Sequence, residues 1–400
     1  MNALRTSLQS PAPIEKPVRL PRGRTRLMAF VANGESEASL QACLSQLSFQ
    51  DATIKTGGIS KAIQLLSVER SPENIIVDIS GTDMPASRVH DLAQVCEPGV
   101  TVVAIGDRND IGLYRDLVQA GVSDYIVKPA TPQLLAKALC PQPIIVAGNT
   151  ISRKLGKVVA FVGARGGVGS TTLAISLASH LAERHKRRTL LLDLDLHTGD
   201  CALALNVRPT PGLREALANP LRIDNVFLER VMAVYSERLF LLSAEEPFGS
   251  DLEVSAEAIE TLVGSLRTLF HYIIVDVPRQ YGAPYRRSID IADIRVIVTD
   301  LTLRSVRDTV RLQAILGESD AIHRNILVVN RNGEVGRCAM TLNEMAKVDL
   351  CPQAVIPFRP RLFTAARLPR FSRLTDAVGA LATEISGHKR ERTPWWRLAR

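Results

Sequence analysis

No stretch of this 400-residue chain reaches the ~18 apolar residues that a membrane-spanning helix requires. Cysteine is sparse as well. The six thiols, Cys43, Cys96, Cys140, Cys201, Cys338 and Cys351, include no C-x-x-C pair. That spacing argues against a structural zinc site or a disulfide framework and fits a reduced, cytoplasmic setting. Residues 1–18 lack a long apolar core and carry prolines, which does not fit a secretory signal. Charge of one sign is also missing: 49 basic and 41 acidic residues leave a net +8, with the basic excess gathered in residues 5–26 and 359–400. Such a balance permits contact with anionic lipid or nucleic acid, but solvated arginine accounts for most of it.

What is present is globular. Hydrophobic residues make up 46% of the chain, and its length suits two domains with tails. Residues 1–24 mix Pro, Ser and basic residues without periodicity and read as a disordered tail. From residue 25 to 140, short apolar runs alternate with helical patterns: LMAFV, NIIVDIS, VTVVAIG and DYIVKP among them. Strand–helix alternation at this density predicts a doubly wound sheet. The stretch resembles a response-regulator receiver domain. Asp78, ending a strand, stands where receivers carry the phosphoacceptor, and Lys128 before Pro129 matches their lysine. The acidic pair that holds magnesium should fall near Ala32 and Asn33 and is missing, with only Glu35 nearby; the expected hydroxyl residue is Gly106. Without paired carboxylates a metal has little to hold it. Asp78 therefore reads first as an ordinary strand-end carboxylate and second as a vestigial phosphoacceptor, and the unit as a pseudo-receiver for docking or dimerisation.

Residues 141–156 carry two prolines and two glycines and read as a linker. Then comes VVAFVGARGGVGSTT, an apolar run stopping at Gly163, three further glycines, and a helical segment. Strand, glycine-rich turn and helix form the context of a phosphate-binding loop, in which backbone N–H groups and the helix N-terminus face a phosphate. Against the usual G-x-x-x-x-G-K-S/T, Ala164 fills the first glycine slot and Ser170 the lysine slot. The missing lysine would neutralise the β- and γ-phosphates. The candidate nucleotide-binding set is Arg165, Gly166, Gly167, Val168, Gly169, Ser170, Thr171 and Thr172, with Asn330 and Arg331 further on. A run ending in Asp193 and Asp195 reads as a buried strand with a D-x-D at its edge, and HYIIVDVP places Asp276 as in a Walker B strand. Carboxylates at such edges reach magnesium, orient water, or cap the following turn.

These motifs resemble the MinD/ParA ATPases with their deviant P-loop, and the serine at the lysine slot, together with the Gly199–Asp200 pair, resembles the TadZ/CpaE branch of pilus-assembly proteins. The resemblance implies a receiver-like domain followed by a mostly parallel α/β ATPase domain over residues 157–387. It implies ATP and Mg2+ as cofactors, Thr171 and Asp276 as metal residues, and Asp195 as the catalytic residue. Asn330 of the N-R pair would recognise adenine. Arg165 would take the place of the signature lysine that crosses to a partner's phosphates, so a homodimer is implied. The function implied is positioning of a tight-adherence pilus or related secretion system, with slow or absent hydrolysis, in the cytoplasm at the membrane's inner face or a pole. Other secretion-system proteins would dock on the pseudo-receiver, and nucleic acid is not an expected partner. A nucleotide-free scaffold is the alternative. Residues 388–400, with Trp395 and Trp396 among arginines, suit a membrane interface or a disordered tail.

Overall fold

The apolar runs become strands because each is buried on both faces, the condition of a parallel sheet covered by helices. All five residues of β1 (Leu27–Val31) are buried, as are all six of β4 (Thr101–Gly106). The computed structural model describes residues 26–47, 52–139, 155–250, 253–280, 282–320, 323–334, 340–358 and 375–386. The expected tails at 1–24 and 388–400, most of the linker and the basic stretch 359–369 lie outside these residues.

The first sheet adds β2 (Thr53–Thr56), β3 (Asn74–Asp78) and β5 (Asp124–Val127), in the order β2-β1-β3-β4-β5, all parallel. Helices α1 (Gly34–Ser45), α2 (Gly58–Leu66), α3 (Pro85–Val95), α4 (Ile111–Gln119) and α5 (Pro132–Leu139) cover it. Two core clusters, around Phe30 and around Leu27 and Ile126, fill its two faces. This is the doubly wound receiver-like architecture that the alternation predicts.

The second sheet has eight strands. They are β6 (Lys157–Gly163), β7 (Thr189–Asp193), β8 (Ala233–Val234), β9 (Leu239–Leu242), β10 (Tyr272–Val277), β11 (Ile294–Thr299), β12 (Arg324–Asn332) and β13 (Ala354–Pro357). Their order is β13-β12-β11-β6-β10-β7-β9-β8, and only the short β8 runs antiparallel. Alternate residues of β6 pack to opposite faces: Val158, Ala160 and Val162 join one core cluster, Val159 and Phe161 the other. Around the sheet lie α6 (Ser170–Glu183), α7 (Cys201–Leu205), α8 (Gly212–Ala218), α9 (Asn225–Val231), α10 (Ala256–Leu266), α11 (Ala283–Asp290), α12 (Leu303–Leu316), α13 (Leu342–Ala346) and α14 (Thr375–Ser386). β6 is the first strand of this sheet yet lies between β11 and β10. The chain therefore winds away from it in both directions, opening a crevice at its C-terminal end where α/β proteins bind ligands.

The two sheets meet at their N-terminal edges. Glu97, just before β4, is buried 3.5 Å from Arg188, just before β7. The Arg188 guanidinium lies 4.9 Å from the ring centres of both Phe240 and Phe270. Arg70 pairs with Glu229 at 3.0 Å, and His271, before β10, bonds the Cys96 carbonyl at 3.2 Å.

Candidate nucleotide and cation site

β6 ends at Gly163, and the chain then turns sharply because Gly167 and Gly169 adopt left-handed conformations, φ +77° and +90°. Gly169 is required for a second reason. A side chain there would stand 2.5 Å from Nδ2 of Asn330. That amide donates to the Val168 carbonyl at 2.8 Å, and Arg331 reaches the Gly167 carbonyl at 3.4 Å. Asn330 Oδ1 accepts from the Arg331 backbone N–H at 2.9 Å. The N-R pair on β12 thus braces the glycine loop from behind, with both groups of the Asn330 amide engaged within the chain. Arg331 also lies 3.7 Å from Glu334 and 5.6 Å from the Phe358 ring centre.

Helix α6 begins directly after the loop. Ser170 is its first residue, and its hydroxyl folds back toward Gly163. The Thr172 carbonyl accepts from Ser176 inside the helix at 2.7 Å. Thr171 Oγ1 donates to Asp276 Oδ2 at 2.6 Å, across 105 residues of sequence. Asp276 on β10 is in register with Asp193 on β7, so two carboxylates end adjacent strands side by side. Both are buried, at 6% and 1% exposure. Asp193 accepts from the backbone N–H groups of Asp195 at 3.0 Å and Cys201 at 3.3 Å. Gly199 presses on it so closely that a Cβ would lie 2.4 Å from Oδ2. Cys201 at the start of α7 completes the group: a donor atom from each of Asp193, Cys201 and Asp276 lies within 4.8 Å of the others.

Burial disfavours charge here, and the carboxylates repel one another. Burial, then the Asp193 charge, pushes Asp276 up to about 7. Burial likewise pushes Asp193 to about 6 against the hydrogen bonds it accepts, and burial and the two carboxylates raise the Cys201 thiol well above its usual range. A divalent ion bound here would supply the missing counter-charge, and the oxygen donors of Thr171, Asp193 and Asp276 are of the kind that suits Mg2+.

Two expected site residues occupy a different environment. The strand expected to reach Asp195 stops at Asp193. Asp195 sits on the next turn, where its carboxylate accepts from the Thr198 N–H at 3.0 Å and the Thr198 hydroxyl at 2.6 Å. It caps that turn, the alternative open to it from sequence. Arg165 folds onto its own chain. It meets Asp300 at 2.6 Å, Ser305 Oγ at 3.0 Å and the Gly166 carbonyl at 3.3 Å. Burial of Asp300 opposes ionisation, but hydrogen bonds from Ser305, Thr302 and Arg165 outweigh it and hold its carboxyl below the ordinary range. Asp300 and Cys201 carry no motif signal. Asp193 is visible only as half of a D-x-D.

In the first sheet Asp78 is fully engaged. It accepts from Lys128 Nζ at 2.8 Å and from the backbone N–H groups of Ala32 at 3.1 Å and Ser80 at 3.0 Å. Lys128 also donates to Ser36 at 3.0 Å. The Tyr125 ring stands over Gly106, its hydroxyl bonded to the Arg108 carbonyl at 2.8 Å.

Residues 156–326 match a protein-family model described as an AAA domain. Over 178 residues the chain is 30% identical to the septum site-determining protein MinD of Synechocystis sp., an alignment covering 44% of this chain and 65% of that protein. The chain thus spans just under two thirds of that relative's length. The cell division ATPase MinD of Pyrococcus furiosus is similar in fold, with 23% identity, 58% of this chain and 99% of that chain covered, and a TM-score of 0.50. The pilus assembly protein CpaE of Caulobacter crescentus is 31% identical, with 29% of this chain and 91% of that chain covered and a TM-score of 0.27. The family match and the alignment with the Synechocystis protein make the second domain similar to MinD/ParA-type ATPases, and the Pyrococcus likeness shows the fold.

Proposed function

We propose that this chain binds ATP with Mg2+ and serves as a positioning or assembly component of a tight-adherence (Flp type IVb) pilus or related secretion system, with little or no hydrolysis. The observation carrying the nucleotide reading is the 2.6 Å contact of Thr171 with Asp276 at the foot of the glycine loop, in the crevice where the winding of the sheet reverses. The backbone N–H groups of residues 166–169 and the start of α6 would cradle the phosphates. Thr171, and Asp276 with Asp193 beside it, would hold the ion, whose positive charge screens the phosphate oxygens. Ser170 brings no charge to those oxygens, and that is the reason to expect slow turnover. The pilus role rests on the sequence resemblance, a receiver-like domain without its acidic pair joined to a P-loop with serine for lysine. A homodimer with Arg165 at its interface, partners docking on the first domain and peripheral membrane contact belong to the same reading.

Calorimetry of the full chain with Mg-ATP tests it. Micromolar binding, weakened at least about tenfold by Thr171→Ala and by Asp276→Ala, with little phosphate released, is the expected result. One observation favours the scaffold alternative: the arginine nearest the phosphate loop spends its charge on Asp300. No binding at millimolar ATP would leave that reading standing.

A further inference from the structure

Among the described residues, buried carboxylates come with a base, except for one pair. Among the described residues six acidic side chains are buried: Asp78, Glu97, Asp193, Asp276, Asp300 and Asp308. Asp78 has Lys128, Glu97 has Arg188, Asp300 has Arg165, and Asp308 has Arg279. Asp193 and Asp276 form no ion pair among the described residues, although they lie side by side. An ionised carboxylate out of water without a counter-charge costs several kcal/mol, so this pair is neutralised either by protons or by a cation that the polypeptide does not supply. The third wall of the same space is a thiol. Cys201 is fully buried, with Sγ 4.0 Å from Asp276 Oδ2. Zinc–sulfur and zinc–oxygen bonds of about 2.3 and 2.0–2.2 Å span that separation around one ion.

We propose that Asp193, Cys201 and Asp276 form a divalent-cation site that fills without nucleotide and prefers a thiophilic ion, Zn2+ or Cd2+, to Mg2+. On binding, the Cys201 S–H bond breaks, its proton leaves to solvent, and the sulfur lone pair forms the bond to the metal, with no change of oxidation state. Two carboxylates and a thiolate on a 2+ ion leave a net −1. Such a site holds the metal but repels phosphate, so an ion bound this way competes with Mg-ATP rather than assisting it. The inference uses residues of the proposed nucleotide site but does not need nucleotide to bind.

The test uses the full chain free of nucleotide, with Cd2+ as probe. One equivalent of ion should produce the ultraviolet charge-transfer band of a thiolate–cadmium bond, absent in Cys201→Ser. In calorimetry Zn2+ affinity should fall about 10- to 100-fold in Cys201→Ser and in Asp193→Asn, while Mg2+ affinity changes less than about twofold in Cys201→Ser. Circular dichroism confirms that the variants fold, and Cys201→Ala provides a second thiol-free form. A cadmium band or Zn2+ affinity unchanged in both Cys201 variants overturns the proposal. Failure of Mg-ATP to bind, with Zn2+ binding intact, would remove the nucleotide reading and leave this one in place.

Discussion

Asp78 and Asp276 occupy equivalent places in two sheets. Each lies at the C-terminal end of an interior parallel strand, β3 in one and β10 in the other, and each is almost wholly buried. Their electrostatic surroundings are opposite. Around Asp78, burial resists ionisation, but Lys128 and the Ser80 and Ala32 hydrogen bonds prevail and keep the carboxyl below its ordinary value of 3.8. Around Asp276, burial and a neighbouring carboxylate drive the value to about 7, with only Thr171 pulling it down. A strand-end aspartate is therefore neither an acceptor nor a metal residue by position. What reaches it from other strands decides. A carboxylate closed by a lysine has its counter-charge within the chain, whereas one beside a hydroxyl, a thiol and a second carboxylate has no basic partner among the described residues.

The comparison breaks most visibly if the lysine is removed. Lys128→Met leaves Asp78 buried and unpaired and should destabilise the protein by about 3–5 kcal/mol in urea denaturation, with Asp78→Asn added to it restoring much of the loss. The opposite sign is expected at the other site. Without divalent ions at pH 8, Asp276→Asn should stabilise the fold by on the order of 1–3 kcal/mol, because it removes a charge the site does not neutralise.

The pH dependence sharpens the same contrast. Asp276 has a folded-state value raised above 3.8, so its contribution is fully present below about pH 4 and is lost as pH rises through about 7. Asp78 has a lowered value, so its contribution is present above about pH 4 and is lost as pH falls through its folded-state value. Melting temperature without metal should therefore decline between about pH 4 and 7, and Asp276→Asn or added Mn2+ should flatten that decline. A decline unchanged in Asp276→Asn would refute the assignment. The smallest effect belongs to Asp107, 3.8 Å from Lys128 but 61% exposed. Asp107→Asn should shift stability by less than about 0.5 kcal/mol.

Much of this architecture is legible from order along the chain. Continuous apolar runs such as those of β1, β4 and β6 announce buried parallel strands, and the glycines after β6 announce a loop that only glycine can follow. Thr171 and Asp276 are legible as motif positions for the same reason, since a helix start and a strand end are local features. Asp195 shows the limit. In sequence it is indistinguishable from Asp193, but the strand stops between them, and one faces β10 while the other caps a turn with Thr198.

The chain's own order of apolar runs, glycines and helical segments determined two mostly parallel α/β sheets and the place of the glycine loop, because burial and backbone freedom act over a few residues at a time. Only the tertiary structure decided which charge meets which. Lys128 is 50 residues from Asp78, Arg165 is 135 from Asp300, and Thr171 is 105 from Asp276. Such partners are chosen by strand order across a sheet, and the energy of a buried charge depends on ångström distances that spacing along the chain does not encode.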